Sequence, residues 1–299
     1  MDGLPTRVSR VSSEGSGGTE RERSDRAVPP NDIWGPLLSG SGPFFIGILN
    51  ITPDSFSDGG RFLEPKAALA QARALASAGA ALLDLGAEST RPGAEPSDPD
   101  QEWTRLEPVI SGLKKDLSAL PWCVDTRHPD TASKALARGA SVINDVTGFS
   151  DPGMLQLATT SSCGLIAMRS RIRDGRFWMP PYEDPAPKDA EEAIQELLVV
   201  RDRLLHASVP AHRILLDPGF GFGTTFQEDL ALWEALPSLP QRLDWPVERI
   251  CIGVSRKRFV ARRFAGNPDL PPAERDAATA AAQSQAGSWG YRVFRTHAI

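Results

Sequence analysis

Three residues spread along the chain, Asp125, Asn144 and Asp217, supply carboxylate acceptors and one amide. That set suits a flat heterocycle with several N–H donors and an amide-like edge. Four more, Arg91, Lys257, Arg295 and His297, supply cationic donors suited to an oxyanion such as phosphate or pyrophosphate. Asn50 precedes an acidic loop containing Asp54 and Asp58. Its amide oxygen suits Mg²⁺, which keeps several waters and leans on one or two protein oxygens plus substrate phosphates. The chemistry points to a heterocycle that carries a phosphorylated leaving group.

These residues share a position relative to the apolar pattern. Short apolar runs occur at 44–49, 81–85, 122–125, 141–146, 164–168, 213–217, 250–254 and 291–294. Helical stretches are predicted between them, near 66–79, 101–119, 129–138, 151–160, 187–207, 226–236 and 273–287. Short apolar strands alternating with helices indicate parallel β/α units. Eight runs with seven intervening helices predict a (β/α)8 TIM-type barrel rather than a doubly wound sheet. The eighth outer helix is absent from the chain, so the outer face of strand eight is expected to be covered by the lead-in, by a partner chain or by nothing. A homodimer or a marginally stable monomer follows. Barrel chemistry belongs at the C-terminal strand ends. A single polar residue there often only caps a helix or starts a turn, as is expected of Thr126, Asp145 and Ser150. Polar residues at seven ends would converge on one mouth.

The whole chain of 299 residues carries 33 Lys+Arg against 38 Asp+Glu, a net charge of −5, which argues against a nucleic-acid binder. No apolar run is long enough to span a membrane. No secretory signal is legible in the first 28 residues, so a cytoplasmic protein is expected. Residues 1–28 read as a disordered tail, 29–43 as a lead-in segment and 44–299 as one barrel domain. Cys123, Cys163 and Cys251 are too few and too scattered for a disulfide framework and read as buried hydrophobes.

The motifs also resemble a known family. Ile48-Leu49-Asn50-Ile51-Thr52-Pro53-Asp54-Ser55-Phe56-Ser57-Asp58-Gly59-Gly60 and Asp84-Leu85-Gly86-Ala87-Glu88-Ser89-Thr90-Arg91-Pro92-Gly93 are similar to the two N-terminal signatures of the dihydropteroate synthases. Asp125-Thr126, Ile143-Asn144-Asp145-Val146, Asp217 through Gly223, and Gly253-Val254-Ser255-Arg256-Lys257 continue the resemblance in order. It implies a barrel that joins 4-aminobenzoate to a hydroxymethyl-dihydropterin diphosphate, releasing pyrophosphate. It further implies that Asp125, Asn144, Asp217 and Lys257 hold the pterin, with Asp125, Asp217 and Lys257 as catalytic residues. Asn50 would ligate Mg²⁺. Thr90, Arg91, Arg295 and His297 would serve the diphosphate, and Thr90, Pro92, Phe222 and Ser255 would border the aminobenzoate. The chain departs from the family at Thr224, where Lys is usual, at Arg169, where His is usual, and at Ala298, where Asp is usual. The loop with Arg171, Arg173, Arg176 and Trp178 also differs, and reads equally as a solvated segment or a basic lid. The alternative to an active synthase is a non-catalytic pterin-binding homologue that acts with a partner protein.

Overall fold

The computed structural model describes residues 32–52, 63–89, 98–173, 176–178, 180–184, 186 and 188–299. The expected disordered tail, the loop after the first strand, and Thr90, Arg91 and Pro92 lie outside the described residues.

The strands are β1 (Phe44–Asn50), β2 (Leu82–Gly86), β3 (Trp122–Asp125), β4 (Val142–Asp145), β5 (Gly164–Met168), β6 (Ile172–Arg173), β7 (Arg176–Phe177), β8 (Ile214–Asp217), β9 (Cys251–Ile252) and β10 (Val293–Thr296). Parallel pairing runs β8-β5-β4-β3-β2-β1-β10-β9. A parallel bridge between Leu216 and Ile250 joins β8 towards β9 and closes the ring. The strands β6 and β7 form a separate antiparallel hairpin. The helices are α1 (Trp34–Leu37), α2 (Leu63–Ala78), α3 (Pro99–Asp116), α4 (Pro129–Ala137), α5 (Pro152–Thr160), α6 (Glu191–His206), α7 (Phe226–Ala235), α8 (Leu239–Arg242), α9 (Arg258–Ala265) and α10 (Asp276–Ser288).

The predicted barrel is present, with each predicted strand and helix within a few residues of its place. Four elements were not predicted: α1 within the lead-in, the β6–β7 hairpin, α8 and α9. In α9, Phe259, Val260 and Ala261 are buried, and Gly266 ends the helix at φ +69°. Its eight residues are too few to display a helical period against the loop before it.

Alternation along the strands splits the apolar residues into two cores. Leu83, Leu85, Val124, Ile143, Leu165, Leu216, Ile252 and Phe294 face outward under the helices. Phe44, Ile46, Leu82, Cys123, Val142, Ile166, Leu215, Cys251 and Val293 fill the barrel floor. Trp34 completes that floor from below. It is fully buried, lies edge-on to Phe44 at 6.4 Å, and its Nε1–H donates to the Arg213 carbonyl at 2.8 Å. Trp34 therefore plugs the barrel and does not cover the outer face of the last strand. That face borders a groove of about 710 Å³ lined by Phe45, Phe294, Ala280, Gln283, Tyr291 and Ile299. The three cysteines are free and buried.

Candidate active site

The site is the layer directly above the floor. Advancing two residues along a strand returns to the same face about 6.6 Å higher. That step carries Leu82 to Asp84, Cys123 to Asp125, Val142 to Asn144, Leu215 to Asp217, and Val293 to Arg295. Five of the nine floor residues thus have a polar residue above them. In register, Gly86 pairs with Asp125, Asp125 with Asn144, and Met168 with Asp217, so the side chains converge on one plane.

The layer is tied together at Asp84, which is fully buried. Its Oδ2 accepts from Asn144 Nδ2 at 3.1 Å and from Arg295 Nε at 2.5 Å. Arg295 Nη2 donates to Asp125 Oδ2 at 2.5 Å. Asp84 Oδ1 is buried and has no hydrogen-bond partner among the described residues. An unmet buried acceptor costs about 1–3 kcal/mol, so this oxygen is a place for a ligand donor. Burial pushes the Asp125 carboxyl up, while the Arg295 guanidinium paired with it pulls the other way and favours the carboxylate; Asp84 adds to the rise. Burial also raises Asp217, which Lys257 opposes, and Asp217 Oδ1 accepts from Gly219 N–H at 2.8 Å. Burial lowers Lys257 to about 8 despite Asp217 and Asp229. Three carboxylates thus share two cations, leaving acceptor capacity for ring N–H donors.

Around this layer stand the other residues of interest. Asn50 Nδ2 lies 3.4 Å from His297 Nε2, and His297 Nδ1 lies 3.0 Å from Ser255 Oγ. Burial and the nearby Arg295 and Arg256 hold the His297 imidazole down at about 3. These surroundings favour the neutral imidazole, whereas the sequence placed His297 among the cationic donors. Lys257 Nζ donates to the Phe220 carbonyl and lies over the Phe222 ring at 4.6 Å. The Arg295 guanidinium, expected at the diphosphate, is paired here with Asp84 and Asp125.

The loop after β8 is shaped by glycines and held by Arg169. Gly219 has φ +70°, and a Cβ there would stand 1.9 Å from the Arg169 carbonyl oxygen. Arg169 is almost fully buried and donates to the carbonyls of Pro218 (2.8 Å) and Gly219 (2.7 Å) and to Glu196 (3.1 Å). Arg171 donates to Glu196, Glu228 and the Gly223 carbonyl, between 2.7 and 2.9 Å. Arg169 and Arg171 are consequently fixed parts of the mouth, while Ile172, Arg173 and Arg176 that follow them are exposed. Thr224, where a lysine was expected, donates to Asp229 at 2.7 Å.

Among the residues singled out from the sequence, Asp125, Asn144, Asp217, Lys257 and Arg295 meet in the layer, with Asn50, Ser255, His297 and Phe222 on its rim. Thr126 and Asp145 serve turns, as expected: Asp145 accepts from Thr147 and Phe149 N–H groups, and Thr126 bonds Glu102. Asp84 was missed as a site residue, although an acidic residue inside Leu82-Leu83-Asp84-Leu85 is a legible signal, since a buried charge needs a partner. Arg169 gave no such signal, because its partners lie far along the chain.

The sequence model of the family described as "Pterin binding enzyme" matches residues 46–297. Dihydropteroate synthase of Mycobacterium leprae is 39% identical over 257 residues, covering 83% of this chain and 87% of that protein. The structure of Xanthomonas albilineans dihydropteroate synthase with 4-aminobenzoic acid superposes with a TM-score of 0.74 at 36% identity, covering 86% of this chain and 88% of that one. That of Anaplasma phagocytophilum dihydropteroate synthase with bound 6-hydroxymethylpterin-monophosphate gives 0.72 at 34% identity, covering 85% and 93%. With the match running through the strands that build the polar layer, the chain belongs to the pterin-binding enzymes and, within them, to the dihydropteroate synthases.

Proposed function

We propose that this chain condenses 6-hydroxymethyl-7,8-dihydropterin diphosphate with 4-aminobenzoate, giving 7,8-dihydropteroate and pyrophosphate. The observation that carries the reading is the acceptor layer of Asp84, Asp125, Asn144 and Asp217 above a sealed apolar floor. A pterin lying flat there places its ring N–H and amino groups against these acceptors, and the free Asp84 Oδ1 gains a donor. The exocyclic methylene then faces the open end of the barrel. The C–O bond to the diphosphate breaks with its electron pair leaving on pyrophosphate. The amine lone pair of 4-aminobenzoate forms the new C–N bond, and the amine proton is released. Asp125 and Asp217 supply negative potential beneath the developing positive charge on the pterin. Lys257 lies beside Asp217 and supplies a donor at the same level.

Asn50 fits a magnesium role. Its amide nitrogen lies 3.4 Å from His297 Nε2, so the amide oxygen remains for a cation. No group of three or more acidic, His or Cys side chains among the described residues forms a metal cage. A single protein oxygen suits Mg²⁺ when substrate phosphates supply further ligands. Bound there, Mg²⁺ would neutralise charge on the diphosphate. Arg295, His297 and Arg91 are the diphosphate residues of this reading, with Thr90, Pro92, Phe222 and Ser255 bordering the arylamine.

The test is turnover of the pterin diphosphate with 4-aminobenzoate by purified protein, read as pyrophosphate release equal to dihydropteroate formed. Tight pterin binding with no turnover would establish the non-catalytic homologue instead. Loss of diphosphate affinity on chelation supports the metal role, and unchanged affinity refutes it. A homodimer joined across the groove bordering β1 and β10 is part of the same proposal, because half-buried Phe45 and exposed Ile299 line that groove. Sedimentation showing only monomer would reject it. No helix among the described residues is long and apolar enough to cross a membrane, and a cytoplasmic location completes the proposal.

A further inference from the structure

The mouth carries an unbroken line of charge and ring contacts that runs from Glu88 to the site lysine. Glu88, after β2, takes both Arg127 Nε (3.0 Å) and Nη2 (2.9 Å). The Arg127 guanidinium, after β3, lies 5.6 Å from the centre of the Phe177 ring. Phe177, on β7 of the hairpin after β5, meets Phe222 edge-to-face at 5.7 Å and 71°. Phe222, after β8, carries Lys257 Nζ on its ring. Cation, ring, ring and cation alternate across the opening, each contact of a favourable type.

The hairpin that presents Phe177 is anchored. Arg171 is fixed to Glu196, Glu228 and the Gly223 carbonyl, and its own carbonyl accepts from Trp178 N–H at 2.8 Å. Ile172 pairs with Phe177 across the two short strands. The other ring pairs near this end, Phe220–Phe259 and Tyr182–Phe226, pack under the helices in the outer core. Among the described residues, Phe177–Phe222 is therefore the ring pair that reaches the site lysine. An arylamine arriving above a pterin needs an apolar wall on its flat face, and this ring pair stands at the level of the site lysine.

We propose that Phe177 is a specificity-determining residue for the arylamine substrate: it backs Phe222 and sets the width of the slot that the aromatic ring enters. The proposal rests on the synthase reading above. Its test is steady-state kinetics with each substrate varied in turn, on wild type, Phe177→Ala and Phe177→Tyr. Loss of one aromatic wall is expected to raise KM for 4-aminobenzoate about five- to tenfold in Phe177→Ala. The effect falls on that KM rather than on kcat, and KM for the pterin diphosphate stays within about twofold, because the pterin contacts lie a layer below. Phe177→Tyr restores the wild-type value. Phe177→Ala should also improve the relative kcat/KM of ring-substituted 4-aminobenzoates. An unchanged KM for 4-aminobenzoate in an active Phe177→Ala enzyme overturns the proposal alone. A parallel loss for both substrates, not rescued by tyrosine, assigns Phe177 a merely structural role and overturns it too. A wild type without turnover removes the synthase reading and this proposal together.

Discussion

At the scale of single residues, the site is a problem of unequal charges in a buried layer. Asp217 has one oxygen held by the Gly219 N–H and a cation nearby, so a bound pterin meets an oriented acceptor with little left to rearrange. Asp217→Ala is expected to weaken pterin diphosphate binding by about 2–3 kcal/mol, roughly 30- to 140-fold in Kd. Titration calorimetry on the folded variant checks this, and unchanged affinity would remove Asp217 from the pterin site. Lys257 gives the pH dependence. Burial favours its neutral form and places its proton loss near 8, so it is charged below that pH and neutral above it. If the charged form holds the substrate, kcat/KM for the pterin diphosphate falls as pH rises through about 8. Lys257→Arg should move that limb upward, since guanidinium stays protonated. A flat profile between pH 7 and 9.5 would show that the charge on Lys257 is not required.

At the scale of elements, the loop after β8 depends on the residue that follows β5. Arg169 takes the carbonyls of Pro218 and Gly219, which turn inward as the chain rounds Gly219, and bridges them to Glu196 on α6. Arg169→Met keeps much of the volume but leaves two carbonyls without donors. A loss of about 2–4 kcal/mol in unfolding free energy is expected, read from denaturant midpoints. A loss below about 1 kcal/mol would mean that water or Arg171 replaces the donors. This element also accounts for the departure from the family at Arg169: an arginine there ties β5, β8 and α6 together.

At the scale of the whole molecule, stability and catalysis are stacked along the barrel axis. The floor seals the N-terminal end, and the polar layer above it can remain charged because its members pair with one another rather than with bulk water. Trp34 belongs to neither strand nor outer helix, yet it is the largest side chain in the plug. Trp34→Ala is expected to cost about 3–5 kcal/mol, because it opens a cavity and strands the Arg213 carbonyl. Thermal unfolding checks this. A melting temperature within about 2 °C of wild type would show that the floor closes without it.

The barrel and most of its mouth were legible in the chain because both obey short-range rules. Period-2 alternation sets which residues of Leu82–Gly86 or Val142–Asp145 face inward, and parallel strands place their polar ends at one rim. The motifs around Asn50, Asp125, Asn144, Asp217 and Lys257 lie at those ends, and so could be read one strand at a time. What tertiary structure decided is how the charges are shared. Arg295 lies 211 residues from Asp84 and 170 from Asp125, and no local pattern states that one guanidinium serves both carboxylates. The bias of His297 towards its neutral form has the same origin, because it depends on burial and on arginines brought near by the closed ring. The placement of Phe177 against Arg127 and Phe222 likewise joins three strand ends that only barrel closure makes neighbours. Alternation is a property of consecutive residues, whereas desolvation and pairing are properties of the assembled interior.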